Sequence, residues 1–332
     1  MLDQLRAVSA KLGKNPLLVQ GAGGNTSLKE GDIMHIKASG TWLSNAEKGD
    51  IFVSVSHKKI RHNINSGLDD PLKGSALDRS LLRPSIETTL HALMPHAAVL
   101  HTHPVELISL LVLSDAQQIL KELLRGMNWA WVDYSRPGID LTRKVSQVLN
   151  TKQVDILVLG NHGLVVGGND CIQASKLIDE VLFRCKRHLR KFKAPLQSML
   201  TSYARKIGMK PVENDIVHAL AMDESANNYC QSESTVLYPD QAVFLGPVLN
   251  CLDAEDYESI NISDIHQGYV IIKGVGVFVA KHPKSGVEEM LACHAEILMR
   301  IPIGEKLRYL SKRNVCDLLD WEPEKYRQTL GK

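Results

Sequence analysis

The spacing of apolar residues predicts alternating helices and strands over roughly the first 195 residues. In residues 2–12, leucine and valine recur at helical intervals, so a first helix ends between Gly13 and Pro16. The stretch GAGGNTSLKEGDIMHIKASG predicts a glycine-rich turn and then a hairpin, because Glu-Gly-Asp separates two short strand-like runs. Residues 56–80 are largely polar and predict a loose segment.

The elements that follow keep this alternation. Pro84 and Pro95 bound a short helix, and AAVLHT after it predicts a buried strand. Further helices are predicted at 106–113, 116–124, 140–149 and 171–192, and further strands at 129–133, 154–159 and 164–166. Strands and helices in this order indicate an α/β domain.

The C-terminal part repeats one layout of the first domain: an apolar strand, a glycine turn, a second strand and a long amphipathic helix. DILVLGNHGLVVGG opens the first copy and YVIIKGVGVFVA the second. In this register Gly163 matches Gly276, but His162 matches Val275. The pattern indicates a partial duplication, although any hairpin followed by a helix would align in a similar way.

We therefore expect a catalytic domain at residues 1–200 and a smaller α/β extension, without metal ligands, at residues 205–332. The extension would cover the first domain, extend a subunit interface or shape the substrate mouth. The alternative is an independent domain with its own ligand, joined through the polar segment at 221–234.

Composition and charge narrow the class of protein. The chain has 332 residues, 44% of them hydrophobic and 23% charged, which is typical of a soluble globular protein. The net charge is only +2, and the basic run at 183–193 is interpreted as the solvated end of a helix, so nucleic-acid binding is not expected. The absence of an apolar run of membrane-spanning length and the six widely spaced cysteines predict a cytoplasmic protein with no membrane partner.

Histidines are the candidate metal ligands. His101 and His103 end the AAVLHT strand, and residues i and i+2 of a strand share a face, so both imidazoles can reach one ion. His162 stands between glycines in GNHGLVVGG, at the turn of a predicted buried hairpin. Three histidines with an open position are typical of a catalytic zinc site. The alternative is two surface histidines and one turn histidine.

Glu87 is a candidate general base upstream of these histidines. It lies in the first turn of the helix after Pro84, where a carboxylate also suits the helix dipole. If that helix packs beside the His101 strand, the carboxylate reaches the metal pocket and can move a proton. His91, four residues later, either orients Glu87 or faces solvent, and solvent is favoured; His96 is expected at the surface.

Two glycine-containing loops are candidate anion sites. GAGGN is not a dinucleotide fingerprint, because Thr26 occupies the third glycine position and a hairpin follows. Its closely spaced backbone N–H groups can still form an anion nest, for which phosphate is the natural guest. Ser39 and Gly40 in KASG, with Lys37 nearby, form a second candidate wall.

The motifs GAGGNTS, IKASG, PSIETTLH, VLHTH and GNHGLVVGG, in this order, resemble the class II aldolase/adducin family over roughly residues 1 to 195. VDYSRPGIDL and LLDWEPEKYRQ are most similar to the aldolase portion of bifunctional rhamnulose-1-phosphate aldolase/dehydrogenases. The resemblance implies a three-layer α/β/α domain with a mixed central sheet and a homotetramer with sites between subunits.

The resemblance also implies the chemistry. His101, His103 and His162 would bind Zn²⁺, with Mn²⁺, Co²⁺ or Fe²⁺ as possible substitutes, and Glu87 would be the catalytic acid/base. The implied reaction is that of a carbon–carbon lyase in carbohydrate metabolism: retro-aldol cleavage of a ketose phosphate or related hydroxy-ketone through a metal-stabilised enediolate. The residues on the implied phosphate cradle are Gly24, Asn25, Ser39, Gly40 and Ser85.

Two departures from the aldolase pattern leave alternatives open. Ile86 stands where the aldolases carry a serine, so one phosphate contact is lost, and their loop tyrosine has no counterpart in LKELLRGMNWA. A dehydratase or an epimerase of the same family would use the same metal. A non-catalytic, adducin-like interaction protein would not need the intact set of three histidines and Glu87.

Overall fold

The computed structural model describes residues 1–78, 80–232, 236–256, 265–322 and 325. The strands are β1 (Asn25–Glu30), β2 (Ile33–Lys37), β3 (Phe52–Ser56), β4 (Ala98–Thr102), β5 (Trp129–Val132), β6 (Ile156–Leu159), β7 (Gly163–Gly168), β8 (Lys210–Pro211), β9 (Cys251–Leu252), β10 (Tyr269–Ile272) and β11 (Gly276–Val279). The helices are α1 (Leu2–Gly13), α2 (His57–Asn65), α3 (Thr88–Leu93), α4 (Val105–Leu111), α5 (Ala116–Leu123), α6 (Ile139–Thr151), α7 (Cys171–Arg184), α8 (Gln197–Ile207), α9 (Ala219–Met222), α10 (Glu224–Cys230), α11 (Pro239–Leu245), α12 (Val287–Leu298) and α13 (Lys312–Leu319).

A seven-stranded mixed sheet with the order β3-β2-β1-β4-β7-β6-β5 forms the first domain. Among these strands β5 and β6 run parallel, and the other neighbours are antiparallel. The central strand β4 places His101 opposite Asn25 of β1 on one side and Val165 of β7 on the other. The GAGGN loop and the His-x-His strand therefore meet in the middle of the sheet.

Helices cover both faces of this sheet. Leu100 of β4 packs into the core under α1, α4 and α7, whereas Val99 packs with Leu90 of α3 and Leu141 of α6. Alternate strand residues thus bury against different helical layers, as the strand period requires. The predicted three-layer α/β/α arrangement is present. None of the helices within the described residues is both long and apolar enough to span a membrane.

The C-terminal part contains a second, four-stranded sheet with the order β8-β11-β10-β9. Its hairpin repeats the geometry of the β6–β7 hairpin: Leu159 pairs with Gly163, and Ile272 pairs with Gly276. Val275 occupies the turn position that His162 occupies in the first hairpin. The predicted match between the two hairpins is therefore present in the structure. That the second hairpin arose by duplication stays a hypothesis.

The two parts of the chain share one apolar core. Residues of α4 and α12 belong to the same buried cluster, and the two helices are in contact. Backbone hydrogen bonds add to this contact, with Arg308 N donating to the Val112 carbonyl at 2.8 Å. Residues 221–232, considered above as a linker, contain α10 and bury Ala226 and Tyr229, whereas residues 233 and 234 lie outside the described residues.

The prediction of a loose segment at residues 56–80 was wrong in its first part, because β3 ends at Ser56 and α2 follows it at once; residues 66–78 contain no further helix or strand. The Ser56 hydroxyl caps the helix by accepting the Lys59 N–H at 3.1 Å. Ile60 is buried, and Asn63 donates to the Pro71 carbonyl. The helix buries too few apolar residues to stand out from its polar surroundings in the sequence.

The basic run at 183–193 was also misinterpreted, since α7 ends at Arg184 and the chain then leaves the helix. Arg190 is only partly exposed and donates to Asp223 Oδ1 at 2.7 Å and to the Leu298 carbonyl at 2.9 Å. It also donates to the Ile301 carbonyl. This guanidinium joins the segment after α7 to the C-terminal part.

We expect Arg190→Ala to lower the free energy of unfolding by about 2–3 kcal/mol, because it leaves the Asp223 carboxylate and two carbonyls without their charged donor. Equilibrium urea unfolding with chelator present measures this. Lys191→Ala, at an exposed position of the same run, is the control and should change the value by less than about 0.5 kcal/mol. Equal stability of both variants would contradict the joining role of Arg190.

Candidate metal centre

The alternation along β4 decides where the candidate ligands point. His101 shares the face of Val99, which is the face covered by α3, and His103 follows in the same register one residue beyond the strand. His162 reaches the same point from the turn between β6 and β7. That turn lies close to β4, because a Cβ on Gly163 would stand 2.5 Å from the Thr102 carbonyl oxygen. Glycine is therefore required beside His162.

The three histidines converge in a buried cluster. Their candidate ligand atoms lie within 4.8 Å of one another, and the ring centroids of His101 and His103 are 4.8 Å apart. In the described part of the chain, no other group of three or more His, Cys, Asp or Glu side chains converges closely enough to hold a metal. The structure brings His101, His103 and His162 together, as the sequence predicts.

Hydrogen bonds determine which ring nitrogens face the centre. His101 Nδ1 lies 2.9 Å from the Leu164 carbonyl, which can only accept, so Nδ1 carries the hydrogen and Nε2 is bare. His103 Nδ1 lies 2.8 Å from Asp240 Oδ2 in an ion-pair contact, and a carboxylate there favours the tautomer with hydrogen on Nδ1 and a bare Nε2. The two Nε2 atoms are only 3.0 Å apart. Two lone pairs at this distance repel unless a cation lies against both, so the donor set fits a metal ion.

Two of the three histidines, His162 and His101, are also in the protonation state that a metal needs. Burial, with the charge of the neighbouring histidines, lowers the pKa of His162 to about 3, although Glu87 acts in the opposite direction. Burial likewise lowers the pKa of His101. Neutral imidazoles are the form that ligates metal, so no proton has to be displaced from these rings at neutral pH.

Glu87 lies directly beside the bare nitrogens. Its Oε2 is 3.2 Å from His101 Nε2, and its Oε1 is 3.7 Å from His162 Nε2. Burial by itself raises the pKa of Glu87, but the three histidines and the Asn25 amide together outweigh it and lower the pKa to about 2. Glu87 is the N-cap residue of α3, yet among the described residues its side chain caps no N–H of that helix. The carboxylate therefore faces the centre.

His91 is fully buried, so the expectation that it faces solvent was wrong. Its Nδ1 lies 2.7 Å from Ser27 Oγ, and its Nε2 is hydrogen-bonded to Asn25 Oδ1. Asn25 in turn donates its amide to Glu87 Oε2 at 2.8 Å. His91 thus orients Glu87 through Asn25 and not by direct contact.

His96 is less exposed than a surface residue, with 14% of its side chain accessible. Its Nε2 lies 2.8 Å from Asp155 Oδ1. His96 precedes the first residue of β4, whereas His101 and His103 lie at the opposite end of that strand. The structure therefore separates His96 from the other histidines of this stretch.

A pocket opens beside the histidines and Glu87. The sequence-predicted anion residues that line it are Gly24, Asn25, Lys37, Ser39, Gly40 and Ser85. Lys37 is buried and donates its ammonium to the Ala22 carbonyl at 3.0 Å, which braces the GAGGN loop. Ile86 lines the same pocket.

The pocket also has walls that sequence reasoning missed. Pro137 comes from the loop before α6, and Pro239 and Asp240 come from α11 in the C-terminal part. Proline at the start of a helix is an ordinary sequence feature, and nothing in YPDQA marks its aspartate as a partner of a distant histidine. Only the folded chain, in which Asp240 lies 2.8 Å from His103, reveals that these residues reach the pocket.

Known proteins are similar in sequence to about half of this chain. Uncharacterized oxidoreductase YuxG of Bacillus subtilis is 31% identical over 183 residues, which cover 50% of this chain and only 26% of that relative. L-fuculose phosphate aldolase of Methanococcus maripaludis is 26% identical over 180 residues, which cover 49% of this chain and 84% of the relative.

Among solved structures, the N-terminal class II aldolase domain of a conserved protein from Thermoplasma acidophilum is 28% identical. The alignment has a TM-score of 0.48 and covers 55% of this chain and 91% of that chain. A family model described as "Class II Aldolase and Adducin N-terminal domain" matches residues 3–189. This match covers more than half of the chain, confirms the predicted fold class and shows that the protein belongs to the class II aldolase and adducin family.

Proposed function

We propose that the protein is a divalent-metal-dependent aldolase that cleaves a ketose phosphate, or a related hydroxy-ketone, by a retro-aldol reaction. The observation that carries this proposal is the 3.0 Å separation between His101 Nε2 and His103 Nε2, with the Glu87 carboxylate beside them. A cation site next to an ionised base suits a reaction in which charge develops beside a carbonyl group.

His101, His103 and His162 would hold the metal. When bound, the metal supplies a positive charge that polarises the substrate carbonyl and stabilises the negative charge that develops as the carbon–carbon bond breaks. Three neutral imidazoles suit Zn²⁺, and Mn²⁺, Co²⁺ or Fe²⁺ also accept nitrogen ligands. We propose that the bound metal is zinc, because the ligands are imidazoles and zinc is readily available.

Glu87 would transfer the proton at the carbon next to the carbonyl. Its lowered pKa keeps the carboxylate ionised at neutral pH, so it is ready to accept a proton. In the direction of bond formation it removes the proton from that carbon. In the direction of cleavage the hydroxyl that becomes the aldehyde gives up its proton, Glu87 takes up a proton directly or through water, and it then delivers that proton to the same carbon, so the carboxylate ends ionised as it began. The hydrogen bond from Asn25 holds the carboxylate in place for both steps.

The substrate would place its phosphate in the part of the pocket formed by the two glycine-containing loops. Gly24 and Gly40 both have positive φ, at 59° and 75°, so their backbones turn tightly there. Ser39 and Ser85 add hydroxyl groups, and Lys37 adds a positive charge behind the loop. The relative from Methanococcus maripaludis is named as acting on L-fuculose phosphate, which supports a sugar phosphate. The narrower resemblance to rhamnulose-1-phosphate enzymes stays a prediction.

A metal-replete screen of ketose 1-phosphates, each beside its unphosphorylated form, tests the reaction and the phosphate together. Release of a three-carbon or two-carbon product from the phosphorylated member alone would support both. Cleavage of the unphosphorylated member at the same rate would contradict the phosphate role of the loops. No cleavage of any member by metal-loaded protein would contradict the aldolase proposal.

We also propose that the protein forms a homo-oligomer. The expected form is the tetramer that the family resemblance implies. Phe183 exposes 81% of its surface and Leu81 exposes 97%, and an assembly would cover such apolar side chains. Light scattering coupled to size-exclusion chromatography measures the mass directly, and a monomer would contradict the proposal.

We predict that His162→Ala loses most of its bound metal, because removal of one of three imidazoles leaves an incomplete ligand set. Elemental analysis of the purified proteins and competition with a chelator measure the loss. His62→Ala, at an exposed position of α2, is the matched control and should keep its metal. Equal metal content in both variants would remove His162 from the site.

Glu87→Gln should keep the metal but lose turnover by at least about 10²-fold, because the amide preserves the shape and cannot accept the proton. The rate on any substrate found in the screen measures this. Glu47→Gln, at an exposed position, controls for the loss of one negative charge. Full activity of Glu87→Gln would show that another group moves the proton.

A further inference from the structure

We propose that Asp240, which the C-terminal part supplies, is a positioning residue of the metal centre: its carboxylate lies in ion-pair contact with His103 Nδ1 and so directs His103 Nε2 at the metal. The inference rests on the proposed metal site. It extends that site beyond residues 3–189, the stretch that the family model matches.

Asp240 stands behind His103 and not among the ligands. Its Oδ2 lies 2.8 Å from His103 Nδ1, whereas His103 Nε2 lies on the other side of the ring, 3.0 Å from His101 Nε2. Asp240 is 5% exposed and His103 is also 5% exposed, so water does not screen the pair. A carboxylate held there selects the tautomer with a bare Nε2.

His101 is oriented in a different way, which makes the two histidines a natural comparison. Its Nδ1 donates to the backbone carbonyl of Leu164 in the neighbouring strand, so the sheet itself sets its tautomer. His103 lies beyond the end of β4, where the sheet offers no such carbonyl within the described contacts. Asp240 supplies a carboxylate beside His103 Nδ1, where the strand supplies a carbonyl for His101.

Gly23 leaves space for the His103–Asp240 pair. A Cβ at this position would lie 3.1 Å from His103 Nδ1 and 3.2 Å from Asp240 Oδ2, and also 2.9 Å from the Gln20 carbonyl oxygen. The backbone of the GAGGN loop therefore closes over the contact between the two side chains. A side chain at residue 23 would push into this contact.

The segment that carries Asp240 is tied to the turn that carries His162. Asn161 has a φ of 55°, and its side-chain amide donates to the Leu237 carbonyl at 2.9 Å and to the Arg308 carbonyl at 2.7 Å. Leu237 also donates its N–H to Gln241 Oε1 at 2.8 Å. The segment that carries Asp240 is thus held against the turn that carries His162.

Loss of an outer carboxylate that orients a ligating histidine typically weakens metal binding by about 10–100-fold. We therefore expect the dissociation constant for Zn²⁺ to rise by about 10–100-fold in Asp240→Ala. Asp240→Asn can still accept a hydrogen bond, but as a neutral group, so its rise should be smaller, about 3–10-fold.

The experiment measures Zn²⁺ affinity by chelator competition and records the visible spectrum of the Co²⁺-loaded protein, without any substrate. The matched control is Asp155→Asn, because Asp155 pairs with His96 Nε2 at 2.8 Å outside the centre. It should leave the affinity and the Co²⁺ spectrum as in the unmodified protein. The two Asp240 variants should shift both, and thermal unfolding of the metal-free proteins checks that they fold.

Unchanged affinity and an unchanged Co²⁺ spectrum in Asp240→Ala would overturn the role of Asp240 while leaving the proposed metal site intact. If Asp240→Ala does not fold, Asp240→Asn decides by the same two measurements. If the unmodified protein binds no divalent metal, the metal site and the inference fall together. Weaker binding in Asp155→Asn equal to that in Asp240→Asn would also overturn it, because the effect would then be general.

Discussion

Two bare imidazole nitrogens, His101 Nε2 and His103 Nε2, lie 3.0 Å apart in a buried site, and this contact needs a positive charge to be stable. Each ring is held there by a partner on its far side, the Leu164 carbonyl for one and Asp240 for the other. Because the partners turn the Nε2 atoms toward a common point, folding creates a candidate cation site instead of a pair of mutually satisfied side chains. Folding and metal binding are linked in such a site.

The burial of Glu87 follows from the same constraint. A buried carboxylate is costly unless charges or hydrogen bonds compensate for lost water. Here Asn25 donates to it, and the chain of contacts continues through His91 to Ser27 on β1. The β4 strand and the residue after it thus supply two of the candidate ligands, His101 and His103, and β1 supplies the support for the candidate base. A base held in this way keeps its position relative to the histidines without relying on a flexible loop.

The C-terminal part packs against the family's domain and completes its pocket in this protein. Its helix α12 shares a core with α4, and its residues Pro239 and Asp240 form a wall of the pocket. The hairpin that resembles β6–β7 carries Val275 in place of a ligand and packs apolar residues around itself. The C-terminal part buries apolar surface against the first domain and lines its pocket. It is therefore suited to shaping that pocket, and we propose that it contributes there and not through a separate site.

Local periodicity let the sequence alone determine much of this protein: the two-residue period of VLHTH put His101 and His103 on one face, and the glycines of GNHG marked the turn of His162. Helix α2 was missed because its few apolar residues hardly depart from the polar surroundings. The burial of His91 and the approach of Asp240 to His103 were decided by tertiary structure alone. These contacts join residues from separate elements, and no local pattern of apolar or polar positions records which distant side chain will accept a given hydrogen.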